Sequence, residues 1–141
     1  MIEIPSRLEN NTFKLIDLEK KLKPVGYVIG GGWEYDHGYF DYKMADNGSY
    51  LFVRLPFEAV DGEELDVKGV HVTLGRPFLL AHKYQRGLDD NVHDPNPLLN
   101  QFSEPQDPDA EFPQEWVQTG REYVSELEQI ILNNMEISPR N

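Results

Sequence analysis

One stretch of the chain, residues 50–57, limits the folds open to it more than any other. It reads Tyr-Leu-Phe-Val-Arg-Leu-Pro-Phe. In an extended strand successive side chains alternate between two faces. One face would carry Leu51, Val53, Leu55 and Phe57, and the other Tyr50, Phe52 and Arg54. Two more strand-like runs follow, so residues 50–84 predict the centre of an antiparallel sheet.

The rest of the pattern predicts an α+β fold. Strands are expected at 26–34, 39–44, 50–57, 65–74 and 78–84, and helices at 12–22 and 113–135. Asp46-Asn47-Gly48 is typical of a hairpin turn, because Asn and Gly tolerate positive φ. We therefore expect an antiparallel meander of about five strands, with an N-terminal and a long C-terminal helix packed on one face.

Three features refine this prediction. Gly120 lies on the apolar stripe of the second helix and indicates that the helix packs closely against a neighbour there. The run 78–84 is apolar on both faces near its start, which is typical of a strand covered on both sides. Residues 87–113 are rich in proline and acidic residues and predict an ordered strap across a single domain, 1–141.

Composition excludes several classes of protein. The net charge of −12 disfavours nucleic acids and anionic membranes as partners. The chain has no cysteine, which rules out disulfides, zinc–thiolate sites and a cysteine nucleophile. The start lacks a secretory pattern, and no apolar run reaches the roughly 20 residues that span a bilayer. A cytoplasmic location is expected.

The candidate polar site lies on the outer face of the predicted sheet. Arg54 would bind a carboxylate or phosphate, and His71 would transfer a proton. His82 would face His71 across a strand pair if the turn at 75–77 set that register, and Asp41 would contribute from the edge. The same side chains would also suit a metal. Ordinary surface histidines are favoured, since the sequence fixes no nucleophile or paired carboxylate beside them.

Three hypotheses for function remain. The first is a non-catalytic binding module that self-associates, because aromatic residues are plentiful and no catalytic set is assembled. The second is a small-ligand or catalytic site around Arg54, His71 and His82. The third is a divalent-cation site at Asp89–Asp94, although this loop lacks the glycine and glutamate of an EF-hand. No HExxH motif is present, and neither a metal nor a cofactor is expected.

The last third of the chain carries motifs that suggest a family: Asn96–Phe102 (NPLLNQF), Pro108–Ala110 and Pro113–Val117 with Gly120. Together with the glycine-rich segment before Trp33 and the sequence Arg-Leu-Pro-Phe at 54–57, they resemble the YugN-like family of small bacterial proteins. The resemblance extends over nearly the whole chain and implies a single α+β domain in the cytosol. It implies no catalytic residue and therefore leaves function open.

Overall fold

The alternating stretch at residues 50–57 forms the central strand of an antiparallel sheet. The computed structural model describes residues 1–30, 36–46, 48–60, 69–83 and 111–133. The strands are β1 (Ile2–Glu3), β2 (Thr12–Lys14), β3 (Val28–Gly30), β4 (His37–Asp46), β5 (Ser49–Ala59), β6 (His71–Leu74) and β7 (Phe78–Lys83). The helices are α1 (Leu15–Leu22) and α2 (Val117–Glu128), with short turns of helix at Lys23–Val25, Gln114–Trp116 and Gln129–Asn133. The predicted α+β class is confirmed.

The strand order departs from a simple meander after β5. The main path is β1-β7-β5-β4-β3, while β6 pairs with β5 and β2. With 11 residues, β5 is long enough for two neighbours on one edge. Its first half, Ser49–Arg54, pairs with β7, and its end, Phe57–Ala59, pairs with β6. The prediction that consecutive strands pair throughout is therefore wrong for β6 and β7.

The N-terminal helix starts later than predicted. The sequence pattern predicts helix from residue 12, but Thr12–Lys14 form β2 and pair with β6, with Thr12 opposite Thr73. Backbone bonds hold the strand in place, since Leu74 N donates to Asn11 O at 2.9 Å. Helix α1 begins only at Leu15, because a sheet edge is available to the preceding residues. Tertiary pairing overrides local helix propensity here.

One hydrophobic core lies between the sheet and both helices. Strand β5 contributes the predicted alternating set, each member at most 3% exposed. Its main partners are Leu15, Leu18 and Leu22 of α1, Val124 and Leu127 of α2, and Phe40, Val72, Leu74, Leu79 and Ile131. Burying each such side chain contributes about 1.5–3 kcal/mol. Both helices share this core, so they pack on the same face of the sheet, as predicted.

Strand β7 is buried on both sides, and Gly120 explains how α2 reaches it. Leu79 and Leu80 point to opposite faces and are 0% and 6% exposed. A Cβ added at Gly120 would lie 2.4 Å from Leu79 Cδ1 and 2.6 Å from Cδ2. Glycine therefore lets α2 rest directly on β7. The predicted close approach at Gly120 is confirmed.

We predict that Gly120→Ala destabilises the protein only while Leu79 is present. Overpacking a filled core costs about 1–3 kcal/mol, whereas alanine in a helix gains about 1 kcal/mol over glycine. In a Leu79→Ala background the clash is gone, and Gly120→Ala should become neutral or stabilising. Urea unfolding of the two single variants and the double variant measures both effects. An equal cost of Gly120→Ala in both backgrounds would contradict the proposed contact.

Candidate functional site

The sheet face opposite the helices carries the predicted polar site. We call it the outer face and define it by the outward side chains of three strands: Tyr39, Asp41 and Lys43 of β4, Tyr50, Phe52 and Arg54 of β5, and Phe78, Leu80 and His82 of β7. Their placement follows from the alternation of side chains in paired strands. Among the described residues the face is mainly aromatic, and an ion pair between Asp41 and Arg54 lies near its centre.

Asp41 and Arg54 form that ion pair. They lie directly opposite each other in the β4–β5 ladder. Arg54 Nε donates to Asp41 Oδ1 and Arg54 Nη2 to Asp41 Oδ2, both at 2.8 Å. The guanidinium also stacks over the Tyr39 ring, 3.6 Å from its centroid. A bidentate bond and a stacking contact both use the planar shape of the guanidinium.

The pair is largely removed from solvent. The Arg54 side chain is 17% exposed and the Asp41 side chain 11%. Burial raises the pKa of the Asp41 carboxyl above its ordinary value, and the Arg54 guanidinium offsets part of that rise. The bidentate geometry keeps the arginine donors directed at the carboxylate. Arg54 Nε and Nη2 are therefore both occupied by Asp41 within the chain.

His82 lies beside the pair on the same face. It is opposite Tyr50 in the β5–β7 ladder, and its ring contacts Phe52 edge-to-face at 5.5 Å between centroids. Burial lowers the pKa of His82, the charge of Arg54 lowers it further, and Asp41 acts in the opposite direction. The neutral imidazole is therefore favoured near pH 7, where it packs as an aromatic ring.

His71 lies apart from this group. It is exposed and pairs with Lys14 of β2. Because β6 contacts β5 only at Phe57–Ala59, His71 is about six residues beyond Arg54, or roughly 20 Å along the strand. Strand β7 pairs with β1 and β5, so His71 does not face His82 across a strand pair. The structure thus brings together Arg54, His82 and Asp41 and leaves His71 out.

The pairing of Asp41 with Arg54 does not follow from the sequence pattern, because β4 contains a bulge. The register shifts by one residue between Lys43 and Ala45. Counting back from the turn without this shift would put Asp41 opposite Leu55. The extra residue, Met44, is what aligns the carboxylate with the guanidinium. Opposite charges on adjacent predicted strands were the available signal.

Other candidate centres are limited. Within residues 1–30, 36–46, 48–60, 69–83 and 111–133, no group of three or more His, Cys, Asp or Glu side chains could hold a metal. In this same part of the chain, no helix has the length and hydropathy to cross a membrane. Asp89–Asp94 and most of the 87–113 strap lie outside the described residues, so the predictions for them stay predictions.

Comparison with known proteins identifies close relatives. The model of the YugN-like family matches residues 3–131. The chain is 47% identical over 135 residues to a Bacillus subtilis (strain 168) protein named "Uncharacterized protein YugN", covering 94% of this chain and 100% of that one. A crystal structure of "uncharacterized conserved protein YugN" from Geobacillus kaustophilus HTA426 has a TM-score of 0.69 and covers 96% of this chain and 99% of its own. At 18% identity, this second likeness supports the fold alone.

We predict that Asp41 and Arg54 are strongly coupled in stability. Asp41→Ala should cost about 3 kcal/mol, because it leaves a largely buried guanidinium without its partner. Replacing both residues by apolar ones, Asp41→Val with Arg54→Met, should cost much less than the two single changes added together. Chemical denaturation of all variants measures the coupling.

The exposed pair of Lys43 and Asp46 provides a matched control. Lys43 Nζ lies 3.5 Å from Asp46 Oδ2, and the two side chains are 46% and 55% exposed, respectively. Lys43→Met should change stability by no more than about 0.5 kcal/mol. If the loss of stability in the double variant equalled the sum of the losses in the two single variants, as expected of distant sites, Asp41 and Arg54 would not be coupled.

Proposed function

The chain belongs to the YugN-like family, and we propose that it is a non-catalytic interaction module that self-associates through the outer face of its sheet. The observation that carries this proposal is the aromatic composition of that face around a satisfied ion pair. Tyr39, Phe52 and Phe78 are partly buried there, and Leu80 is buried. Interfaces are enriched in aromatic side chains and depleted in unpaired charge.

The charges of the outer face support a second copy as the partner. Asp41 is neutralised by Arg54, and Lys43 lies near Asp46. A molecule with a net charge of −12 repels its own copies over most approaches. Copies that meet through this face bring together paired charges and aromatic rings, and no unpaired described charge becomes buried. A two-fold arrangement places the same patch on both sides.

The same geometry favours self-association over a small-ligand site at this face. An anionic ligand would have to displace the Asp41 carboxylate from both Arg54 nitrogens. His71, the proposed proton donor, lies about 20 Å from Arg54 along β5. The docking of a partner surface leaves the Asp41–Arg54 ion pair intact and does not require His71. The predicted cytoplasmic location and the exclusion of nucleic acids stay predictions from the sequence.

We predict reversible dimerisation that weakens when Phe52 is made polar. Phe52→Gln removes an aromatic contact from the centre of the outer face and should raise the dimer Kd by at least about tenfold, the size of effect expected for an interface anchor. Sedimentation velocity from about 1 μM to 1 mM, the range of weak protein–protein affinities, measures the equilibrium. Far-UV circular dichroism checks that the variant is folded.

Ile16→Gln is the matched control. Ile16 is an apolar side chain of α1 that is 46% exposed, on the helical side of the molecule. This change should leave the dimer Kd within about twofold. A strict monomer at the highest concentration, or equal effects of Phe52→Gln and Ile16→Gln, would refute the proposal.

A further inference from the structure

A groove lies on the helical side of the molecule, away from the outer face. It has a volume of about 420 Å³ and is formed by residues 3–5 and one face of α2. Ile4 and Val124 make a buried apolar floor, at 8% and 2% exposure. Arg121, Ser125 and Glu128 line the groove from successive turns of α2. The volume falls in the range of small-molecule sites, and four of the seven lining residues are polar or charged.

The two acidic side chains of the groove already have partners. Glu128 Oε2 accepts hydrogen bonds from Ser6 Oγ at 2.7 Å and from the Arg7 backbone N at 3.1 Å. Glu128 Oε1 accepts one from Arg7 Nε at 3.5 Å. Glu3 Oε1 accepts one from Arg76 Nη1 at 3.3 Å. These carboxylates are therefore satisfied by the N-terminal segment and the turn before β7.

Arg121 is the contrasting group. Arg121 lines the groove from an exposed position on α2, and its side chain has no hydrogen-bond or ion-pair partner among the described residues. Ser125 lies one helical turn further on, so its hydroxyl and the guanidinium belong to the same side of α2. Two N–H donors of a guanidinium can bind the two oxygens of a carboxylate at once, and a hydroxyl can donate a further hydrogen bond.

We propose that this groove binds a small amphiphilic carboxylate. The carboxylate bonds to Arg121 and Ser125, and a short apolar tail lies over Ile4, Pro5 and Val124. A monoanion suits the groove better than a dianionic phosphate, because the charges of Glu3 and Glu128 flank the site. The carboxylate of a free organic acid and that of a peptide C-terminus share this chemistry. The site is independent of the proposed self-association.

Titration with sodium hexanoate, followed by two-dimensional NMR of the labelled full chain, tests the proposal. We expect saturable shifts of the Ile4 and Ser125 amides with a Kd on the order of 1 mM, which is usual for so small a ligand. Hexylamine has the same tail and the opposite charge and should give no saturable shift. An absence of saturation by hexanoate, or equal binding of hexylamine, would overturn the site.

Two charge-matched variants identify the binding group. Arg121→Gln should weaken hexanoate binding at least about tenfold, because a charge-assisted bidentate bond is lost. Lys20→Gln removes an exposed cation from α1 and should leave binding within about twofold. Equal effects of the two changes would mean that general electrostatics, and not a built site, attracts the anion.

A second titration, with peptides, distinguishes a free organic acid from a peptide C-terminus as the source of the carboxylate. A short peptide with an apolar last residue is compared in its free-acid and C-terminally amidated forms. Binding of the free acid alone, lost in Arg121→Gln, assigns the groove to chain termini. Binding of hexanoate without either peptide assigns it to small organic acids. Equal binding of the two peptide forms would contradict recognition of a carboxylate.

Discussion

The fold depends on the burial of one face of β5. Its alternating apolar side chains contact both helices on the inner face, and its two edges hold β4 on one side and β6 and β7 on the other. Strand β5 pairs with β4, β6 and β7, and the outer strands β3, β2 and β1 pair with these three in turn. Because a one-residue slip would turn the apolar set outward, burial fixes the register of the neighbours as well. The same register determines which side chains lie next to each other on the outer face.

Where one physical rule dominated, the sequence was sufficient to predict the structure. Alternation predicted the inward set of β5, since only burial decides which face of such a strand is apolar. Gly120 stood on an apolar helical stripe, and the only gain from a glycine there is space, which Leu79 fills. The two apolar faces of β7 likewise indicated a strand covered on both sides, and Leu79 and Leu80, which point to opposite faces, are both buried.

Where two local signals competed, the sequence was not sufficient. Residues 12–14 continue the helical pattern of α1 but form a strand, because the edge of β6 offers backbone partners that no local pattern reveals. The bulge at Met44 changes which residues of β4 and β5 meet, and so it decides that Arg54 contacts Asp41. The separation of His71 from His82 results from the length of β5, which places β6 and β7 at different points along one edge.

The bonds from Ser6 and Arg7 to Glu128 have a consequence for the order of folding. Ser6 and Glu128 are 122 residues apart in the sequence, and β1 also pairs with a strand far along the chain, since Ile2 lies opposite Leu79 of β7. Contacts of such separation form slowly, because a long loop must close before they are gained. During synthesis, residues near the N-terminus can therefore pair with β7 and Arg76 first, and the bonds from Ser6 and Arg7 to Glu128 form only after α2 has also been made. The hairpin of β4 and β5 joins strands that are close in the sequence, and it can form before either of these contacts.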